Sequence, residues 1–347
     1  MGNTQEFARS TARRRGLRVL AIGLLSLLGA TALWTWWAED HPRDERRLRV
    51  LVHDQLTAWF PRQMDLHDGW HGLRQRVLPA EAPRGQALLI HGLDEPGSIW
   101  DDVAPALGAA GFAVWELRYP NDQGIDRSAD YLAQQWPELP AERPVVLIGH
   151  SMGGLVARDF VSRIRHPVGA PALIAGPAVA GVILVGTPNQ GSEWARLRVW
   201  LELRDQFAAS QARPFPLFAP LRDGTGEAKI DLRPGSDFLQ ALNARPWPES
   251  VPIRAFEGQL LTPSPPLSAG ARPGAWWSGI AADVGDGVVT LESARLPDGA
   301  ASLVPNASHR GMLLRPLPGA PEPPAIAPIL ATLRDWQVLM QSGEREY

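Results

Sequence analysis

The feature that most narrows what this chain can fold into is a hexapeptide, Gly149-His150-Ser151-Met152-Gly153-Gly154. An uninterrupted apolar run (145–148) leads into it and a helix-like stretch (155–163) leads out. Glycines two positions either side of a serine suit a turn so tight that a Cβ would collide there. Such a strand–turn–helix junction lifts the serine hydroxyl clear of the backbone. The flanking sequence repeats the same pattern. Short apolar runs at 87–90, 112–117, 145–148 and 182–185 alternate with helix-like segments at 99–110, 130–136 and 155–163. Alternation of this kind predicts an α/β fold, a mostly parallel central sheet with helices on both faces.

The alternation stops over 192–252, where a long amphipathic stretch and Pro-rich loops predict an inserted cap or lid. Strands resume at 253–257 and 301–304, and a last helix is expected over 325–340. The α/β domain is therefore expected over 84–340. Residues 38–83 read as a linker and one packing helix, from the spacing of Leu51, Leu56 and Phe60, and 341–347 as a tail.

Ahead of this body, Arg9, Arg13, Arg14, Arg15 and Arg18 precede an uncharged stretch over 19–37. As a helix it would be about 28 Å long, close to the ~30 Å of a hydrocarbon core. The arginines keep residues 1–18 in the cytoplasm, so the expectation is a transmembrane anchor with the body exported to the periplasmic or extracytoplasmic side. Trp34, Trp36 and Trp37 suit an interfacial edge. A signal peptide cleaved after Ala30-Thr31-Ala32 is the alternative, and it would leave a secreted protein.

Composition removes several chemistries. The net charge of −3, from 37 acidic and 34 basic side chains, argues against a nucleic-acid partner. The absence of cysteine excludes a disulfide framework, a zinc ribbon and a thiolate nucleophile. His67 and His71 are four apart, but Asp68 stands where a zinc protease wants Glu, so a solvated face is the reading.

A serine nucleophile needs amides for an oxyanion, a base and a carboxylate to orient that base. Met152 supplies one amide by position. Leu93 is the candidate for the other, in His91-Gly92-Leu93-Asp94 at the end of the first apolar run, where Gly92 permits close approach. Of the eight histidines only His309 lies beyond residue 166, late in the chain where the base belongs. Asp286, in Gly285-Asp286-Gly287-Val288-Val289, ranks first as the acid, Asp283 second and Glu257 third. Asp283 is also a candidate calcium ligand. Trp276 and Trp277 are expected to line an acyl pocket or touch lipid.

Together these residues resemble the α/β-hydrolase superfamily, and within it bacterial triacylglycerol lipases and inositol-deacylase-like esterases. Gly149–Gly154 is similar to the lipase elbow, and His91-Gly92 to the oxyanion strand end. Gly186-Thr187-Pro188-Asn189-Gln190-Gly191-Ser192 resembles the segment after the next strand, with Asn189 where many relatives carry His. Asp286-Gly287-Val288-Val289 and His309 fall where such enzymes carry acid and base. The resemblance implies hydrolysis of carboxylic esters, on lipid or acyl substrates, by Ser151, His309 and Asp286 through an acyl-enzyme. It implies no metal or organic cofactor. Acyl transfer by the same triad, or an inactive scaffold binding a lipid or partner, are the alternatives.

Overall fold

Strands that are apolar on both sides need cover on both faces. Three of them stand together in the middle of a seven-stranded sheet: β2 (Gly85–Ile90), β4 (Val145–His150) and β5 (Val179–Val185). The computed structural model describes residues 22, 23, 26, 29, 30, 32–64, 70–95, 97–193, 225–261, 283–296 and 302–343. With β1 (Gly72–Val77), β3 (Phe112–Arg118), β6 (Ile253–Gln259) and β7 (Ser302–Pro305), the strand order is β1-β3-β2-β4-β5-β6-β7. Every neighbouring pair is parallel except β1 with β3.

On one face Leu88, Ile90, Leu147 and Leu184 pack against Leu132 and Leu155 of helices Ile125–Gln135 and Met152–Asp159. On the other, Leu89, Ile148, Ile183 and Val185 meet Leu107, Ile329 and Leu333 of helices Val103–Ala109 and Ile326–Gly343. The sheet is thus mostly parallel with helices on both faces, as its sequence pattern leads one to expect. Because β2 and β4–β7 run the same way, the loops after them gather at one end of the sheet.

Two features depart from expectation. Residues 38–83, read as a linker and one packing helix, also supply strand β1 on the sheet edge. Its sequence Gly-Leu-Arg-Gln-Arg-Val is too charged to read as a strand, yet charged side chains are what an exposed edge strand carries. Helix Pro42–Trp59 forms, but Leu51 and Phe60 are exposed instead of packed inward. Only Leu56 of the three residues that suggested it is half-buried.

Among the described residues no helix is long and apolar enough to cross a membrane. Positions 19–21, 24, 25, 27, 28 and 31 of the expected 19–37 anchor lie outside them. Of the expected cap, 194–224 likewise lies outside, and the described remainder carries two short helices, Ala228–Asp231 and Asp237–Ala244.

Candidate active site

Ser151 links β4 to helix Met152–Asp159 with φ +53° and ψ −128°. A non-glycine residue at positive φ is strained and must be held there by its surroundings. Its N–H donates to the carbonyl of Val185 (2.9 Å), and its carbonyl accepts from Gly154 N (3.1 Å). The glycines are steric necessities. A Cβ on Gly153 would overlap the Ile90 carbonyl oxygen. One on Gly92 would sit 2.8 Å from the Ser151 Cβ, so the loop after β2 passes directly against the serine. Leu93, next in that loop, has no acceptor for its amide among the described residues. The Met152 amide is the first of its helix, where no intrahelical acceptor exists.

His309 follows β7, and its Nδ1 donates to Asp286 Oδ2 at 2.6 Å. The His309 amide also donates to the Asp286 carbonyl (2.9 Å). The second carboxylate oxygen of Asp286 accepts from the amides of Val288 (2.9 Å) and Val289 (2.7 Å). Asp286 is buried and Asp283 exposed. A Cβ on Gly258 would meet the Asp286 Cβ at 2.7 Å, so that face of β6 looks toward Asp286 and its neighbour Glu257 faces the other way. The structure therefore brings Asp286 to His309 and leaves Asp283 and Glu257 apart from it.

Ser151 and His309 line one cavity of about 400 Å³. Leu93, Pro188, Leu232, Val288 and Val289 give it an apolar wall, and Lys229 and Arg310 add two cations. Trp276 and Trp277 lie outside the described residues, as does His67. Asn189 is buried, accepting from Arg158 Nη1 (2.9 Å) and donating to the Ala294 carbonyl (2.6 Å), which makes it a structural clamp. Among the described residues no group of three or more His, Cys, Asp or Glu could hold a metal ion.

Sequence reasoning missed Glu95 and His150 as a pair. His150, fully buried inside the serine motif, donates from Nδ1 to Glu95 Oε2 (2.5 Å) and from Nε2 to the carbonyl of His309 (3.0 Å). Glu95 Oε2 also accepts from Gly92 N (3.3 Å). Burial works against the imidazolium, but the adjacent Glu95 carboxylate outweighs it and raises the His150 pKa. Burial likewise works against the Glu95 carboxylate, and His150 overcomes it, holding Glu95 at about 2. One ion pair thus links the loop beside the serine to the loop carrying His309. The available signal was the histidine already inside the motif. His91 differs, since burial lowers its pKa and its neutral ring stacks on Tyr119 at 4.6 Å.

A strained serine between strand and helix, a carboxylate-bound histidine after the last strand, and a mostly parallel sheet define an α/β-hydrolase arrangement. The alpha/beta hydrolase family model matches residues 87–331, and the chain belongs to that family. It is 30% identical over 169 residues to a triacylglycerol lipase of Burkholderia plantarii, covering 43% of this chain and 44% of that one. It is 34% identical over 110 residues to lipase LipV of Mycobacterium tuberculosis, covering 28% and 40%. The matches thus span less than half the length of these curated relatives. The crystal structure of mature lipase BlEst2 from Bacillus licheniformis superposes with a TM-score of 0.50 at 21% identity, over 76% of this chain and 99% of that one, a likeness of fold.

Proposed function

We propose that the chain is a serine hydrolase that cleaves carboxylic esters of lipid or acyl substrates. The observation that carries this reading is one cavity shared by a strained Ser151 and by His309, whose Nδ1 is 2.6 Å from buried Asp286. With Nδ1–H bonded to a carboxylate, the His309 Nε2 is left as the basic nitrogen. It takes the Ser151 proton as Oγ attacks the ester carbonyl carbon, and Asp286 stabilises the resulting imidazolium. The carbonyl oxygen, now an oxyanion, accepts from the amides of Leu93 and Met152. Collapse expels the alcohol, which His309 protonates, leaving an acyl group on Ser151. Water, deprotonated by His309, then releases the acid. The apolar wall of Leu93, Pro188, Leu232, Val288 and Val289 suits an acyl chain. The similarity to two lipases points the same way.

The test is a fluorophosphonate probe, which phosphonylates activated serines. Folded wild-type protein should label, and Ser151→Ala should abolish labelling. Labelling that survives the substitution, or a folded wild type that never labels, overturns the assignment. We also propose that residues 19–37 anchor the chain with the hydrolase domain exported. Intact-mass analysis of the mature chain should show the N-terminus retained, and a start at Leu33 would instead indicate cleavage.

A further inference from the structure

Helix Pro42–Trp59 is amphipathic in the unusual sense. Three of its charged residues, Glu45, Arg46 and Arg49, turn toward the protein, while several of its large apolar residues turn toward solvent. Glu45, with no exposed surface, accepts from Arg49 Nε (3.0 Å) and pairs with Arg233. Arg46 pairs with Asp231 and with Glu227 (3.2 Å). Beside and across from them, Leu48, Leu51, Val52 and Trp59 are exposed, Leu51 by 62% and Trp59 by 67%. At 3.6 residues per turn these four fall within an arc of about 100°, the width of a helix stripe that normally faces a core, and they share it with Gln55 and, one turn before Leu48, with Asp44.

We propose that this stripe beds in the surface of a lipid bilayer, with the helix lying in the plane of the headgroups. Three observations favour a bilayer as the occupant. The uncharged run 19–37 precedes the helix by a few residues, and Ala38, directly after it, is tied to the body by a bond from Arg233 Nη1 to its carbonyl (2.9 Å). Exposed Trp34 and Trp36 before the helix, and Trp59 and Phe60 at its end, are the side-chain types that settle at a membrane–water boundary. Arg43, Asp44, Arg47 and Asp54 leave the helix too charged to span a membrane, while an interfacial orientation keeps Arg43, Arg47 and Asp54, which lie outside the arc, in water and puts Asp44 at the helix's first turn.

The docking face is also joined to the cavity. Glu227, Asp231 and Arg233 hold the helix, while Lys229 and Leu232 between them line the cavity beside Ser151. A bilayer under the helix would therefore lie against the support of a cavity wall. The inference deepens the proposed anchoring and stands whether or not Ser151 is a nucleophile.

The chain has no cysteine, so a single introduced thiol reports on one position. Full-length Leu51→Cys carrying an environment-sensitive fluorophore is mixed with phosphatidylcholine–phosphatidylglycerol vesicles. Leu173→Cys is the reference, an exposed site before the start of β5, at the sheet end opposite Ser151. With vesicles, emission at position 51 should shift to the blue. Lipid-borne nitroxide should quench it at least about threefold more than the reference, while aqueous iodide quenches it less. A chain that floats with the vesicles while the label at 51 stays iodide-accessible keeps the anchor and overturns the docking. Shielding of 51 before vesicles are added also overturns it. Concentration-dependent shielding would assign the stripe to a second copy, and concentration-independent shielding to the chain itself.

Discussion

Asp286→Asn is the most informative single change, because the structure dictates how the new amide must sit. The Oδ1 oxygen of Asp286 accepts two backbone amides, from Val288 and Val289. An asparagine turned the other way would aim its NH₂ at those two donors, so its oxygen stays there and its Nδ2 faces His309. The imidazole must then present a bare Nδ1 and carry its proton on Nε2, the nitrogen that has to be basic. The loop keeps both backbone bonds and loses one charge-assisted bond, so stability should fall by less than about 3 kcal/mol. Turnover should fall about 10,000-fold, as in the Ser-His-Asp template, or roughly 5 kcal/mol of barrier. The assay is kcat on a p-nitrophenyl ester beside a thermal melt. A folded Asp286→Asn protein that keeps kcat within about tenfold refutes the reasoning. A collapse of kcat in Asp283→Asn, with Asp286→Asn unaffected, would move the acid to Asp283.

The remaining predictions concern two buried carboxylates. Glu95→Gln leaves the buried His150 cation without its partner, so stability at pH 7 should drop by about 3–5 kcal/mol in urea unfolding. Because Glu95 is held at about 2, below its usual 4.5, its contribution is present above pH 4.5 and lost as pH falls toward 2. The wild type should therefore show an acid limb on the order of 3 kcal/mol that the variant lacks, and identical limbs would rule out the pair as its source. Glu257 behaves oppositely, since burial pushes it up to about 7 against the pull of Arg295, and its Oε1 has no hydrogen-bond partner among the described residues. A raised carboxylate costs stability as pH rises from 4.5 through 7, so Glu257→Gln should stabilise by about 1–3 kcal/mol at pH 8 and little at pH 4. It should leave kcat unchanged, and a large loss of kcat would put Glu257 in the site.

What the sequence discloses follows the range of the physics involved. The serine motif is local, because strand, turn and helix are written within a few residues, and the turn forms as its glycines require. Elimination singles out His309 and its turn singles out Asp286, and the structure places the two in one hydrogen bond. Strand β1 escaped notice because alternating Arg and Gln satisfy an edge without looking apolar. For helix Pro42–Trp59 the period located a face but carried no sign. Apolar spacing looks the same whether the stripe points in or out, and only Glu227, Asp231 and Arg233, far along the chain, decide it.

The Glu95–His150 pair was hidden for a related reason, and its placement argues for what it does. The two residues are 55 positions apart and meet because β2 and β4 are parallel neighbours ending side by side. Burying two charges there is a poor way to gain stability, since an apolar pair of equal volume commonly does as well. An apolar pair has no N–H to give and no oxygen to accept. His150 donates at once to Glu95 and to the His309 carbonyl, and Glu95 accepts from the Gly92 amide. The pair therefore fixes the spacing between the Gly92–Leu93 loop and the His309 loop, the distance that the proposed reaction would have to span. With Glu95 ionised, both of these bonds need a protonated His150. A neutral ring bonded to Glu95 through Nδ1 would turn a lone pair toward the His309 carbonyl and push the two loops apart.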